Sequence, residues 1–116
     1  MCNTSLPERP ISCVIDGDTF VVKVGSADEL ETLYLTHGEA VKLRRMLDSE
    51  IVESLCEERM GRPPKEIVVA DMHLNVIEAM TMRDALDLRL AVYKARADYE
   101  QQRRKQRKNN WRKVGF

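Results

Sequence analysis

Hydrophobic and polar residues alternate along three short stretches in the first third of the chain. The segment ISCVIDGDTFVVKV (residues 11–24) contains two runs typical of β-strands, one on each side of Asp16-Gly17. An Asp-Gly pair between such runs favours a hairpin, because glycine readily adopts a positive φ. The segment TLYL (residues 32–35) predicts a third strand after a polar break. Residues 1–10, with two prolines and few apolar side chains, are predicted to be a flexible lead-in.

The apolar spacing changes to three and four residues after Thr36, which predicts an α-helix. Thr36 and Glu39 have the spacing of a capping box, in which each side chain accepts from the other residue's backbone N–H. Gly61, followed by Pro63 and Pro64, is expected to end this helix. The apolar residues predicted to share one helical face are Ala40, Leu43, Leu47, Ile51 and Leu55.

The segment EIVVADMHLNVIEAM (residues 66–80) supports two interpretations. Alternation with period two favours a strand, and Asn75 is a candidate turn residue that would make the segment a second hairpin. A helix over the same residues remains an alternative. The alternating positions are Val68, Ala70, Met72, Leu74 and Val76.

A second long helix is predicted from Thr81 onward, where Thr81 and Asp84 repeat the capping-box spacing. A stripe with heptad-like spacing follows, and a second set of apolar residues lies beside it. A helix with two apolar flanks usually needs a second surface, so we expect a homodimer. The stripe is Ala85, Leu88, Val92, Ala95 and Tyr99, and Leu86, Leu90 and Tyr93 widen it. The predicted dimer seam is Ala85, Leu88, Leu90, Val92 and Tyr93.

These elements predict a single α+β domain over residues 11–100. In it, a small antiparallel sheet of hairpins packs against two helices, and the C-terminal helix is long with a basic end or tail at residues 101–116. A chain of 116 residues is long enough for one modest hydrophobic core.

The charges of the chain are divided along its length, although the formal net charge is zero. Residues 101–116, the basic segment, hold seven of the 19 basic residues and none of the 19 acidic ones. The basic segment therefore carries +7 and the other 100 residues carry −7. In a helix these cations meet a phosphate backbone together, and Trp111 offers a ring for stacking on a base. The predicted nucleic-acid-binding residues are Arg103, Arg104, Lys105, Arg107, Lys108, Trp111, Arg112 and Lys113.

The segment RRKQRKNNWRK (residues 103–113) resembles the short arginine-rich RNA-binding helices of phage antitermination proteins, in which a tryptophan also follows the basic run. That resemblance implies RNA as a partner, although the spacing between arginine and tryptophan differs. The sequence thus predicts a small non-enzymatic regulatory binding protein that contacts RNA or DNA.

An acidic surface supports a different function, which is binding to a protein. Five carboxylates of the first helix, the acidic cluster, offer a site for a basic protein surface. On this interpretation the chain is a phage- or plasmid-type inhibitor or modulator of a host protein, acting through its acidic body. The basic segment would alternatively dock on the acidic cluster of the same chain or of another copy. The acidic cluster consists of Asp48, Glu50, Glu53, Glu57 and Glu58.

The motif IDGDT (residues 15–19) resembles the metal-site hairpin of the staphylococcal-nuclease family. The resemblance implies that Asp18 is a calcium ligand and makes a degenerate nuclease-like protein a minor alternative. The family also needs an arginine in the stretch that follows, and ETLYLTHGEA (residues 31–40) has none. Asp71 and His73 are only two potential ligands, fewer than a metal site needs. We therefore expect neither catalysis, nor a metal, nor a cofactor.

The cysteines and the hydropathy of the chain bear on its location. Cys2, Cys13 and Cys56 are an odd set without CxxC spacing, which favours reduced thiols. No run approaches the roughly 20 apolar residues that span a bilayer, and the first residues do not resemble a secretory signal. We expect a cytoplasmic protein that does not contact a membrane.

Overall fold

A computed structural model describes residues 9–26, 28–63 and 66–114, with side chains described as far as residue 107. It contains five strands and two helices in these ranges and confirms the α+β class. The strands form two separate antiparallel sheets rather than one. In chain order the elements are β1 (Ile11–Asp16), β2 (Thr19–Val24), β3 (Glu31–Leu35), α1 (His37–Arg59), β4 (Ile67–Val69), β5 (Met72–Leu74) and α2 (Val76–Val114).

The first hairpin and the third strand form as the alternation predicts. Strand β2 is the central strand, pairing with β1 and β3 on its two sides. Asp16 pairs with Thr19, so Gly17 and Asp18 are the two turn residues. Gly17 has a φ of +64°, which costs a glycine little and a β-branched residue much.

The core is formed by the three-stranded sheet, the β4–β5 hairpin and the two helices. Alternate residues of β2 turn one row of side chains toward the helices, and α1 and α2 each add one apolar stripe. Burial raises the pKa of the Cys13 thiol, so this cysteine remains protonated and packs as a small apolar side chain. The fully buried residues include Phe20, Val22, Val24, Ala40, Leu47, Ala79, Met82 and Leu86.

Helix α1 begins and ends where the sequence predicts. The Thr36 side chain accepts from the Glu39 N–H and the Glu39 carboxylate accepts from the Thr36 N–H, which confirms the capping box and lowers the pKa of Glu39. Gly61, with a φ of +77°, follows the C-cap residue. Leu55, the last residue of the predicted apolar face, is 44% exposed, and Ser54 is buried near this end of the helix.

Residues 67–74 form a second hairpin and residues 76–80 begin α2, and the predicted turn is wrong. Ala70 and Asp71 are the turn residues, both with positive φ (48° and 64°), and Val69 pairs with Met72. The two-residue turn shifts the alternation, so Val68 is 49% exposed while Ile67 and Val69 are buried. Asn75 lies after the hairpin, immediately before α2.

Helix α2 starts at Val76, five residues before the predicted cap at Thr81. The Asn75 side chain accepts from the Glu78 N–H, and the Glu78 carboxylate accepts from the Asn75 N–H. This second capping box is the one that forms, whereas the Thr81 hydroxyl donates to the Ile77 carbonyl inside the helix. The Thr81–Asp84 pair therefore does not mark a helix start.

Glu78 also anchors the segment that precedes β1. The Arg9 Nε and backbone N–H donate to the Glu78 carboxylate at 2.9 and 3.0 Å. Glu78 is only 6% exposed, and burial alone would raise its pKa, but the hydrogen bonds from Arg9 and Asn75 outweigh burial and lower it. Arg9, within the predicted lead-in, is thus held against α2, while residues 1–8 of that lead-in lie outside the described residues.

The orientation of α2 differs from the predicted one. Met82 and Leu86 face the core, and Leu90 and Tyr93 pack against it from its edge. Leu88, in the predicted stripe, is 60% exposed because it lies on the opposite side of the helix. The predicted flank, Leu86, Leu90 and Tyr93, thus faces the core, and of the predicted stripe Ala85 packs against it.

The two helices run antiparallel. Helix α2 extends beyond the body of the molecule, which consists of the strands, α1 and the part of α2 that packs on them. Asp87 of α2 lies 2.6 Å from Arg44 of α1, and Arg83 of α2 lies 3.1 Å from Asp48 of α1. Helix α2 has 39 residues, about 58 Å of helix. The radius of gyration is accordingly 19.8 Å, against about 13 Å for a compact domain of this length. Among the described residues, no helix combines the length and hydrophobicity that crossing a membrane requires.

Candidate nucleic-acid interface

Helix α2 has two halves with different surroundings. In the anchored half, residues 76–93, one side packs on the core and on α1. In the projecting half, residues 94–114, every residue as far as Arg107 is exposed. The body ends beside the start of the projecting half, where α1 begins at His37 and the β1–β2 turn lies near Arg96.

The described cations of the basic segment, at residues 101–107, are exposed and have no carboxylate partner among the described residues. Residues 101–107 contain four cations and no acid, and within the described part of the chain none of the four forms an ion pair. Arg103 and Arg107 are one turn apart, and Arg104 lies between them on the adjoining face. The four cations are Arg103, Arg104, Lys105 and Arg107. Of the other predicted residues, Lys108, Trp111, Arg112 and Lys113 belong to the helical backbone, but their side chains lie outside the described residues.

The acidic cluster lies at the other end of the molecule. Because the helices are antiparallel, the C-terminal half of α1 lies beside the start of α2, far from Arg103 and Arg107. Asp48 bonds to Arg83, and Glu57 bonds to Arg62 at 3.1 Å. Glu50 and Glu53 also have interactions within the protein, and Glu58 is exposed. The described cations therefore do not dock on the acidic cluster of the same chain.

The predicted dimer seam is divided between two sides of α2. Leu90 and Tyr93 are half-buried against the core, and Ala85 and Val92 are also half-buried. Leu88 is exposed, and Tyr99, the last residue of the predicted stripe, is 61% exposed. The surface that remains open to a second copy is therefore the outward side of α2 around Leu88.

The β1–β2 turn brings Asp18 near an arginine that sequence reasoning did not connect with it. A small hollow of about 210 Å³ is lined by Asp18, Arg96, Glu100 and Tyr93. Arg96 comes from α2 and not from the stretch after the hairpin. Within the described ranges, no group of three histidine, cysteine or acidic side chains is arranged to hold a metal ion. In the other candidate pair, Asp71 and His73, the Nδ1 atom of His73 lies 3.0 Å from a carboxylate oxygen of Glu66.

An aromatic cluster lies at the corner between the body and the projecting half, and it was not predicted. The rings of His37 and Tyr93 are stacked, with centroids 4.8 Å apart and an interplanar angle of 19°. Phe20 supports Tyr93 from the core at 5.5 Å. The three rings come from β2, α1 and α2, so no local pattern connects them; the only sequence signal is that Tyr93 lies on the flank that faces the core.

A larger open hollow adjoins the stacked rings. It measures about 450 Å³, and His37, Tyr93 and Lys94 line it together with the Arg44–Asp87 pair. Arg44 and Asp87 neutralise each other at 2.6 Å, in an ion pair that is not aligned as a hydrogen bond. The exposed Lys94 therefore supplies the excess charge of this hollow. We call the hollow and its two rings the aromatic corner.

Comparisons of the chain with protein families, with curated proteins and with solved structures found no match. The likeness of the β1–β2 hairpin to the nuclease metal site therefore rests on that hairpin alone.

Proposed function

We propose that this protein is a small non-enzymatic regulatory protein that contacts nucleic acid through the basic segment of α2. The observation that carries the proposal is the exposure of Arg103, Arg104, Lys105 and Arg107 on a helix whose other half is packed into the body. Cations that lack carboxylate partners remain available for phosphates. A helix about 10–12 Å wide also fits the major groove of duplex DNA.

The position of the basic segment also supports this function. Arg103 and Arg107 are like charges one helical turn apart, which destabilises an isolated helix. No packing compensates for this repulsion in the described part of the projecting half. Bound phosphates would remove the repulsion, so the helical content measured by circular dichroism should rise when nucleic acid binds.

The first experiment compares two triple variants by fluorescence anisotropy with a labelled DNA duplex and a labelled single strand. Replacing Arg103, Arg104 and Arg107 with alanine should weaken binding to both by about tenfold or more at fixed salt, because three phosphate contacts are lost. The matched control replaces three exposed cations of α1, Lys42, Arg45 and Arg59, and should bind like the wild type. Equal weakening by both variants would mean that only net charge matters and would contradict the proposal.

The alternative function is inhibition of a host protein through the acidic cluster. The ion pairs of Asp48 with Arg83 and of Glu57 with Arg62 make this alternative weaker, because those carboxylates already have partners in the monomer. Replacing Glu53 and Glu58 with glutamine should leave nucleic-acid binding unchanged. If the wild type binds no nucleic acid, the acidic cluster becomes the better candidate.

The minor alternative is a degenerate nuclease-like protein in which Asp18 binds calcium. We expect millimolar calcium to leave the melting temperature unchanged, because the described residues around Asp18 supply too few oxygen ligands. Stabilisation by calcium that disappears in Asp18→Asn would reverse this conclusion.

We also propose that the protein is a homodimer that pairs through the outward side of α2. Leu88 and Tyr99 are large apolar side chains exposed on this side, in a chain that is 33% charged. In an antiparallel arrangement the basic segment of each copy points away from that of the other, which limits repulsion. Leu88→Glu should give monomers by mass measurement at about 100 μM, whereas a wild type that is already monomeric there would contradict the dimer.

A further inference from the structure

We infer that the aromatic corner binds an unpaired nucleobase. The protein would thus bind single-stranded nucleic acid through a stacking contact that the basic segment alone does not provide. This inference rests on the proposed function and names the form of nucleic acid that the site prefers. It depends on the stacked rings of His37 and Tyr93 and on the hollow beside them.

The stacked rings have the properties of a platform for a base. Tyr93 is held in place because it packs on the core and contacts Phe20 at 5.5 Å. It orients the His37 ring in turn, yet the His37 residue remains exposed. A fixed, exposed ring is suited to stacking on a base, since every base has a flat π-surface. Base pairs inside a duplex do not offer that surface, so the platform selects unpaired bases.

The hollow beside the platform has the size and the charge for a nucleotide. Its volume of about 450 Å³ lies within the range of roughly 300–1,000 Å³ that is typical of small-molecule sites. Lys94 follows Tyr93 directly and contributes a positive charge, while the Arg44–Asp87 pair contributes no net charge. A base stacked on His37 would thus have a cation nearby for its phosphate.

The aromatic corner is continuous with the basic segment along one side of α2. Tyr93, Ala97, Arg104 and Arg107 follow one another at intervals of four, seven and three residues, which keeps them on one side of a helix. Glu100 is the one carboxylate of that side, and Arg96 precedes it by one turn. A strand that leaves the corner would therefore meet Arg104 and Arg107 next.

The test uses the full chain with two probes, a labelled oligothymidine and a labelled duplex of the same length. His37→Ala should weaken binding of the single strand by about tenfold, the effect of losing one base–aromatic stack, and leave duplex binding unchanged. His37→Phe keeps an aromatic ring and should restore single-strand binding. His73→Ala, at the other histidine of the chain and distant from the corner, is the matched control and should behave like the wild type.

The outcomes separate this inference from the proposed function. If His37→Ala binds the single strand as the wild type does, while replacing Arg103, Arg104 and Arg107 with alanine weakens both probes, the aromatic corner is not a base site and the proposed function stands. If His37→Phe binds as weakly as His37→Ala, stacking is not the interaction and the inference also fails. A wild type that binds neither probe contradicts both.

Discussion

The two halves of helix α2 are built from the same kind of backbone but stabilised in different ways. The anchored half carries Met82 and Leu86 into the core and begins with a capping box in which Glu78 is buried. The projecting half has no buried side chain as far as Arg107 and carries like charges one turn apart. Tertiary packing supplies most helical stability in proteins, so the projecting half depends on the anchored half for its form. The first half therefore serves the fold, and the second is available for a partner.

The largest expected difference between the halves is in stability. Leu86→Ala should lower the free energy of unfolding by about 3 kcal/mol, because it removes a fully buried side chain and leaves a cavity. Gln102→Ala, at an exposed position of the projecting half outside the proposed dimer surface, should change it by less than about 0.5 kcal/mol. Urea denaturation followed by circular dichroism measures both. A large loss in Gln102→Ala would show that the projecting half is packed against another surface, and the contrast between the halves would not hold.

The buried carboxylate of the anchored half should give a somewhat smaller, pH-dependent effect. Glu78→Gln should cost about 2–3 kcal/mol at pH 7, because it weakens both the cap and the hydrogen bonds from Arg9. The folded pKa of Glu78 lies below its ordinary value of 4.5. Its ionised form therefore stabilises the fold above about pH 4.5, and this contribution is lost as the pH falls through the lower folded pKa.

Denaturation at several pH values checks the direction of this pH dependence. The wild type and Glu78→Gln should differ at pH 7 and converge in acid, while Glu100→Gln in the projecting half should match the wild type throughout. A difference between the wild type and Glu78→Gln that stays constant down to pH 3 would contradict the ionised, hydrogen-bonded form of Glu78.

The smallest expected effect is a change in the β4–β5 turn that alters the stability of the body and leaves nucleic-acid affinity unchanged. Ala70 has a φ of +48°, a conformation that costs a residue with a Cβ about 1–2 kcal/mol. Ala70→Gly should therefore stabilise the fold, by about 0.5–1 kcal/mol after the greater flexibility of the unfolded chain is subtracted. Nucleic-acid affinity should stay the same, since this turn is in the body. A changed affinity would show that the body and the projecting half are coupled.

Local patterns were sufficient for the elements whose signals come from neighbouring residues. Thr36 and Glu39 cap α1 as expected, and Gly17 makes the first hairpin. The second hairpin was assigned to the wrong turn because Ala70 is not a residue that usually adopts positive φ. In both hairpins the strand pairing follows from the turn, so an error in the turn shifts the predicted faces.

The start of α2 and the aromatic corner depend on contacts between distant parts of the chain. Two capping boxes were available, at Asn75–Glu78 and at Thr81–Asp84, and their local spacing is the same. The first one forms, and Arg9, 69 residues away, bonds to its Glu78. The contact of His37 with Tyr93 also joins distant parts of the chain, because it requires the antiparallel packing of α1 and α2. Charge division, by contrast, is visible in the sequence, so the basic segment could be identified without the fold.

The most direct measurement for the central claim is the salt dependence of binding to duplex DNA. Each phosphate contact adds about 0.9 to the magnitude of the slope of log affinity against log salt. Replacing Arg103, Arg104 and Arg107 with alanine should therefore reduce the magnitude of this slope by about 2.7 if each arginine binds one phosphate. The control variant at Lys42, Arg45 and Arg59 should keep the wild-type slope. An unchanged slope in the arginine variant would contradict the assignment of the basic segment as the nucleic-acid interface.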